Sequence, residues 1–337
     1  MSRVEPQTTE QPHGVYRGVA LRRRTLREVG VQTFGIGVFY LIVVVFFSIE
    51  APYFFEYSNA STILADVAVL GIVSLGQALA IISGGFDLSV SGTLPMGAVA
   101  YADFVNHGLS YPVATVVVVL IGAGVGLVNG SIVARLGINP LITTLGTLSI
   151  TAGLAYTITN GVTIAFNDVS PGVWGNNAFS TIQWGVIAFA VLALAGWIVL
   201  RFTVYGRAIY ALGGNREASR LAGIRVNMLT ASAYVICGAC AAFAGVVTSS
   251  QLLAGSATVG STMNLSSITA VILGGAALTG GVGGIPGTML GVLLLGTISD
   301  GMALMQVQTF YQQIATGCVL LIAVGFGRLR SLLSGAD

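Results

Sequence analysis

The chain has 337 residues, of which 55% are hydrophobic and 8% charged, and its mean hydropathy is +0.88. A soluble domain carries roughly 25% charged residues, so this composition excludes a globule wetted on every side. The net charge is only +2, and all 14 cationic residues are arginine; with no lysine the chain has neither a P-loop, whose lysine contacts phosphate, nor a Schiff-base amine. Any nucleotide-driven work must therefore be done by a partner.

Residues 1–30 are polar and arginine-rich and end in "LRRRTLRE". They lack the short apolar core and small-residue cleavage site of a signal peptide and read as a cytoplasmic tail. Apolar runs follow, most of them close to the roughly 20 residues that a bilayer-spanning helix needs. They predict helices over 33–49, 61–82, 88–106, 112–135, 140–159, 184–201, 228–250, 263–279, 285–305 and 310–326. The fold class is all-α, a polytopic membrane protein with about ten transmembrane helices. Residues 31–337 form one membrane domain.

Orientation follows from arginine, which collects on the cytoplasmic side of membrane proteins. Arginine occurs in the N-terminal tail, at 135, at 201, 207, 216, 220 and 225, and at 328 and 330. The turns near Gly108, 160–183, 255–260 and 306–308 carry none. Ten crossings put every arginine on one side, with both termini cytoplasmic. One crossing more or fewer would strand a cluster on the far side. The intervening segment 202–227 is then cytoplasmic.

Two stretches look alike. "SLGQALAIISGGFDLSVSGTLPMGAVA" and "ITAVILGGAALTGGVGGIPGTMLGVLL" both run apolar, double glycine, short turn, Gly/Pro, apolar. Paired glycine-broken segments in two halves point toward a transport pathway; the competing reading is a likeness of glycine-rich composition. In the first, Gly84 and Gly85 break the helix and Asp87 and Ser89 open the next. A carboxylate at membrane depth is costly and prompts a functional question. Asp87 is read as a helix N-cap, since aspartate accepts hydrogen bonds from free backbone N–H groups. The alternatives are a contact with a hydroxylated cargo and a proton relay. Asp66, Asp103 and Asp300 are the other intramembrane carboxylates and look scattered, without a buried base.

In "ALGGNREASRLAGIRV" a turn at Gly213 and Gly214 precedes Asn215, a natural N-cap. Glu217 falls in the first helical turn, where a negative charge suits the dipole. Ala218, Leu221 and Ala222 share one face, bordered by Arg216 and Arg220. Gly223 ends the helix. A helix of about two turns is unstable alone, so it needs either a protein groove or the lipid headgroups.

Uncharged hydrogen-bonding residues in apolar helices are candidates for lining a path: Gln77, Asn129, Thr143, Thr144, Ser149, Ser267 and Thr269. Hydrogen bonding between helices explains each equally well. The loop 160–183 holds Asp168 and Trp174. It is either a docking face with a short helix or an interfacial loop anchored by its tryptophan. Cys237 and Cys240 read as small packing residues on one helix face. Cys318 stands apart, and the two histidines, His13 and His107, are distant, so no metal cluster forms. HExxH and GxSxG are absent, which argues against an intramembrane enzyme.

Taken in order, "SGGFDLSVSG", "NPLITTLGTLSITAGLAYTITNG", "YGRAIYALGGNREASRLAGIRV" and "AVILGGAALTGGVGGIPGTMLGVLLLG" resemble the membrane permease subunit of ribose/xylose-type ABC importers, in the branched-chain-amino-acid/sugar superfamily. The resemblance spans roughly 61–327. Phe86 and Ser91 depart from the usual "GGIDLSVG" without changing charge. The resemblance implies a permease in the bacterial inner membrane that moves a monosaccharide or similar polyol. It implies an ABC ATPase that binds the ATP and Mg, so this chain holds no cofactor. It also implies an extracytoplasmic sugar-binding protein and a second permease copy, identical or paralogous, with the lipid bilayer as the surroundings and no nucleic acid. It makes the 215–223 helix the ATPase-coupling helix. The alternative is a secondary transporter driven by an ion gradient.

Overall fold

The computed structural model describes residues 35–168, 170–179 and 182–333. The predicted tail at 1–30 lies outside them. The apolar runs form α1 (Gly35–Glu50), α2 (Tyr57–Ile82), α3 (Val90–Asn106), α4 (Tyr111–Ser131), α5 (Pro140–Thr159) and α6 (Trp184–Phe202). A single π-helical turn, Ile132–Leu136, prolongs α4. Two short helices follow, α7 (Val204–Gly214) and α8 (Arg216–Leu221). The chain closes with α9 (Val226–Leu252), α10 (Met263–Leu273), α11 (Ile285–Leu304) and α12 (Thr309–Leu333). Proline stands in the first turn of α4, α5 and α11, where its missing N–H costs nothing. At α5, Asn139 completes the cap by accepting the Leu141 N–H at 2.8 Å.

Six helices are long and apolar enough to cross a membrane by length and composition: α2, α4 with its extension, α5, α6, α9 and α11. The protein is a multi-pass membrane protein. Burial sorts these helices. The most apolar window of α2 is 89% buried within the protein, against 22% for α6. Helix α2 is therefore an interior helix, and α6 turns most of its apolar surface outward.

Three predicted boundaries need correction, the first at α12, which runs to Leu333, seven residues past the expected 326. Helix α10 stops at Leu273, six residues short of the expected 279, because Gly275 adopts a left-handed φ of +90° and ends it. At about 1.5 Å per residue it is too short to cross a bilayer alone. The expected turn at Gly213 and Gly214 is instead the last turn of α7, a helix too short to show as an apolar run of membrane length.

Small residues let α4 and α9 pack backbone to backbone. Gly122, Gly126 and Gly130 recur every fourth position on α4. A Cβ at any of them would overlap α9, at Gly238, Tyr234 and Ala231 respectively. Helix association in lipid relies on such close approach. Cys237 and Cys240 are free thiols on α9 that pack against Gly76 of α2, in keeping with a packing role.

The connections gather at two ends. At one, β1 (Ile164–Ala165) pairs with β4 (Ala254–Gly255), and Asn106 donates to the Ala165 carbonyl at 2.9 Å. The loop 160–183 forms a 3₁₀ turn, Ser170–Trp174, and a small hairpin of β2 (Asn177–Phe179) and β3 (Ile182–Gln183). Trp174 is half-buried against protein: its indole N–H donates to Thr115 at 3.2 Å and its ring meets Phe243 edge-on. The opposite end carries the α2–α3 turn, the α10–α11 turn, α7 and α8.

Candidate functional site

The two glycine-broken stretches terminate their helices identically. After α2, Gly84 takes φ +89°; its N–H bonds the Ile81 carbonyl and the Gly85 N–H bonds the Ala80 carbonyl, each at 2.9 Å. After α10, Gly275 repeats this, with its N–H on Ile272 at 2.9 Å and the Ala276 N–H on Val271 at 3.2 Å. Both are Schellman motifs, which need a residue tolerant of left-handed φ. The likeness seen in sequence thus extends to hydrogen bonds.

Asp87 lies in the first turn segment and is fully buried. Its Oδ1 accepts the Ser89 N–H at 2.9 Å and the Ser89 hydroxyl at 2.5 Å, and Asn129 donates to Ser89 at 2.9 Å. Regular helix begins only at Val90, so Asp87 caps a turn ahead of α3 rather than α3 itself. The Cys237 thiol lies beside the Asp87 side chain, whose Oδ2 has no hydrogen-bond partner among the described residues. Helix α9 supports the turn through Tyr234, whose hydroxyl donates to the Phe86 carbonyl at 3.2 Å and leaves no room for a side chain at Gly85.

None of the predicted lining residues borders the cavity described next. Gln77, Asn129, Thr143, Thr144, Ser267 and Thr269 are buried. The hydroxyls of Thr143, Thr144, Ser149, Ser267 and Thr269 bond carbonyls three or four residues back in their own helices. Gln77 accepts a long bond from Cys237 at 3.5 Å.

A different set surrounds a cavity of about 330 Å³ between α2, α3, α9, α10, α11 and α12. Its polar lining comes from Asp66, Thr248, Gln251, Thr262, Ser266, Ser299 and Thr316. Gln251 also donates to Gln183 of the 160–183 loop at 3.0 Å, so the cavity sits toward the end bearing that loop. Asp66 is exposed and feels the charge of Asp300, which accepts from Asn59 at 3.0 Å. The sequence carried a signal for Asp66: it is the single charge inside the long apolar run of α2. The other lining residues carried none, since a hydroxyl in an apolar helix is commonplace.

The α8 region follows its local reading with one change. The Asn215 Oδ1 caps α8 by accepting the Ala218 N–H at 2.9 Å. Gly223, at φ +80°, closes it with a third Schellman pair, Gly223 to Arg220 at 3.0 Å and Ile224 to Ser219 at 3.1 Å. Glu217 and Arg220 form an exposed ion pair at 2.6 Å, and the guanidinium holds the Glu217 carboxyl below its ordinary range. Arg216 does not border the free face as expected. It turns inward to Thr230 at 3.1 Å, Asn227 at 3.1 Å and the Ala134 carbonyl at 3.4 Å, pinning α8 to α9 and the end of α4. Ala218, Leu221 and Ala222 are exposed, with Leu221 78% accessible. This face is apolar and uncovered.

Residues 59–324 match the family described as "Branched-chain amino acid transport system / permease component". The chain is 35% identical over 298 residues to the ribose import permease protein of Bacillus subtilis, covering 88% of this chain and 92% of that protein. It is 33% identical to an L-arabinose ABC transporter permease protein of Azospirillum brasilense, over 88% of this chain and 87% of that protein. It is 32% identical to the D-allose transport system permease protein of Escherichia coli, over 86% of this chain and 90% of that protein. With this extent of match over a helical, glycine-broken membrane fold, the chain belongs to the family of branched-chain amino acid transport system permease components.

Proposed function

We propose that the chain is the translocation subunit of an ABC importer that carries a monosaccharide or similar polyol into the cytoplasm. The observation that carries this reading is the match over 84–88% of the chain to permeases named for ribose, arabinose and allose. The rest of the machine follows from chemistry the chain lacks. Without lysine it has no P-loop, so a separate ATPase subunit supplies the energy and holds ATP and Mg. A binding protein outside the membrane delivers the sugar, and a second permease copy completes the assembly in the bacterial inner membrane.

In this reading residues 31–337 are one permease domain with about ten crossings and both termini cytoplasmic. The arginine-bearing 202–227 is its coupling segment. The arginine-free end faces outward, and there the cavity beside Asp66 takes the cargo. Asp66 accepts sugar hydroxyls, while Gln251, Ser266 and Ser299 exchange hydrogen bonds along the way. Affinity resides in the binding protein, so a loosely polar cavity suffices and speeds release.

The test is uptake into proteoliposomes holding the permease, its ATPase and its binding protein, with labelled D-ribose, L-arabinose and D-allose as probes. Uptake of at least one sugar should require ATP and stop with vanadate. Uptake that ignores vanadate but collapses with an ionophore would identify a secondary transporter instead.

A further inference from the structure

Three backbone segments from distant parts of the sequence converge at the end of the molecule that bears α7 and α8. The α2–α3 turn contributes Ile82 and Gly84, the α10–α11 turn contributes Gly280, Gly281 and Gly283, and α7 contributes Tyr210 and Gly213. The two turns are joined directly, because the Gly281 N–H donates to the Ile82 carbonyl at 2.9 Å. That carbonyl belongs to the last turn of α2 and has no partner within its own helix. A Cβ at Gly280 would stand 2.8 Å from the Gly84 Cα. Helix α7 closes the junction. A Cβ at Gly213 would overlap both the Ile82 oxygen and the Gly281 nitrogen, and the Tyr210 hydroxyl donates to the Gly283 carbonyl at 2.9 Å.

The neighbouring glycine supplies a contrast. Gly214, next along the same helix, has nothing within 4 Å of the position a Cβ would take. Only one of the two consecutive glycines is therefore demanded by packing. Asn215 then links α7 to α8 without slack, since it ends one helix and caps the next.

We infer that Gly213 and Tyr210 are positioning residues that transmit motion of the α7–α8 segment to both glycine-broken turns at once. The inference rests on the proposed ATP-driven reading. The physical ground is direct backbone contact. Close-packed protein has low compressibility and passes on small displacements. A shift of α8, gripped on its exposed Ala218 and Leu221 face, moves the end of α7. That end pushes on two connections, after α2 and after α10, in which a helix breaks into a left-handed glycine turn and the chain re-enters. The Ile82–Gly281 bond makes the two turns move as a pair. A long flexible side chain at this point would absorb the displacement; two glycine backbones do not.

The experiment uses the full chain in complex with its ATPase subunit in proteoliposomes and needs no sugar. A reporter cysteine replaces Thr279, an exposed residue of the α10–α11 turn, in a background carrying Cys318→Ser, which removes the exposed thiol. The reporter's rate of labelling by a water-soluble maleimide is compared with and without ATP and vanadate. The reporter chain with an intact junction should change rate by about fivefold or more, the low end of ordinary coupling between sites. Adding Gly213→Ala should abolish the change while the ATPase still co-purifies and hydrolyses ATP, and Gly214→Ala should keep it. Tyr210→Phe removes one hydrogen bond and keeps the ring, so it should shrink the change without loss of yield; it decides the matter if Gly213→Ala fails to fold. An unchanged fivefold response in Gly213→Ala or Tyr210→Phe overturns the inference, as does an unresponsive reporter in the otherwise intact complex. Failure of the ATPase to bind the unmutated chain would instead overturn the importer reading itself.

Discussion

Replacing Asp87 separates a cap from a charge. Its Oδ1 holds the Ser89 N–H at 2.9 Å and the Ser89 hydroxyl at 2.5 Å, and the whole side chain is inaccessible to water. Asp87→Asn keeps an oxygen at that place and deletes a buried charge whose other oxygen has no ordinary hydrogen bond. It should therefore fold as well as the parent and transport at a similar rate. Asp87→Leu removes this acceptor and strands the buried Ser89 N–H, which costs about 1–3 kcal/mol. That cost is a sizeable part of a typical folding free energy of about 5–15 kcal/mol. At roughly 2–4 °C per kcal/mol for a chain somewhat smaller than this one, Asp87→Leu should melt about 2–12 °C below the parent. The assay is thermal stability in detergent, followed by size-exclusion chromatography, with ATP-dependent uptake measured in parallel. Asn and Leu variants that melt alike would refute the capping argument. An Asn variant with parental stability and no transport would assign Asp87 a role for its charge.

Three further outcomes follow from the same geometry. Ala218→Trp enlarges the exposed face of α8 and should abolish co-purification of the ATPase and uptake while membrane yield stays unchanged; Glu217→Arg, which breaks the ion pair with Arg220 at 2.6 Å and reverses the charge at the helix start, should weaken both. Normal ATPase binding in Ala218→Trp would mean that α8 only rests on lipid. Asp66→Asn should slow sugar uptake by about tenfold, since hydrogen bonds to a charged acceptor are worth about 1.5–3 kcal/mol, with ATPase binding intact; an unaltered rate would remove Asp66 from the path. On α4, Gly126→Ala should cut folded yield because its Cβ would overlap the Tyr234 backbone, whereas Gly124→Ala, with nothing within 4 Å, should be silent. Equal yields from the two would contradict the close α4–α9 packing.

Much of the protein is legible along the chain because membrane helices are local objects. A run of apolar residues must form its backbone hydrogen bonds within itself, so most helices fall within a few residues of the predicted bounds. Caps are local too: Asn215 and Gly223 bracket α8 as their positions suggest, and Gly84 ends α2. The early stop of α10 was also written in its double glycine, although the apolar residues beyond masked it. Other features depend on which helix lies beside which, and no periodicity reveals that. Arg216 looks like a surface charge until α9 and the end of α4 bring Thr230, Asn227 and the Ala134 carbonyl to meet it. Thr143 and Ser267 look available for a path but bond their own helices, while the cavity takes its lining from residues as ordinary as Thr248 and Ser299. Gly213 and Gly214 are indistinguishable as sequence neighbours. Only the approach of Ile82 and Gly281, brought in from both halves of the chain, makes one of them indispensable to packing and leaves the other free.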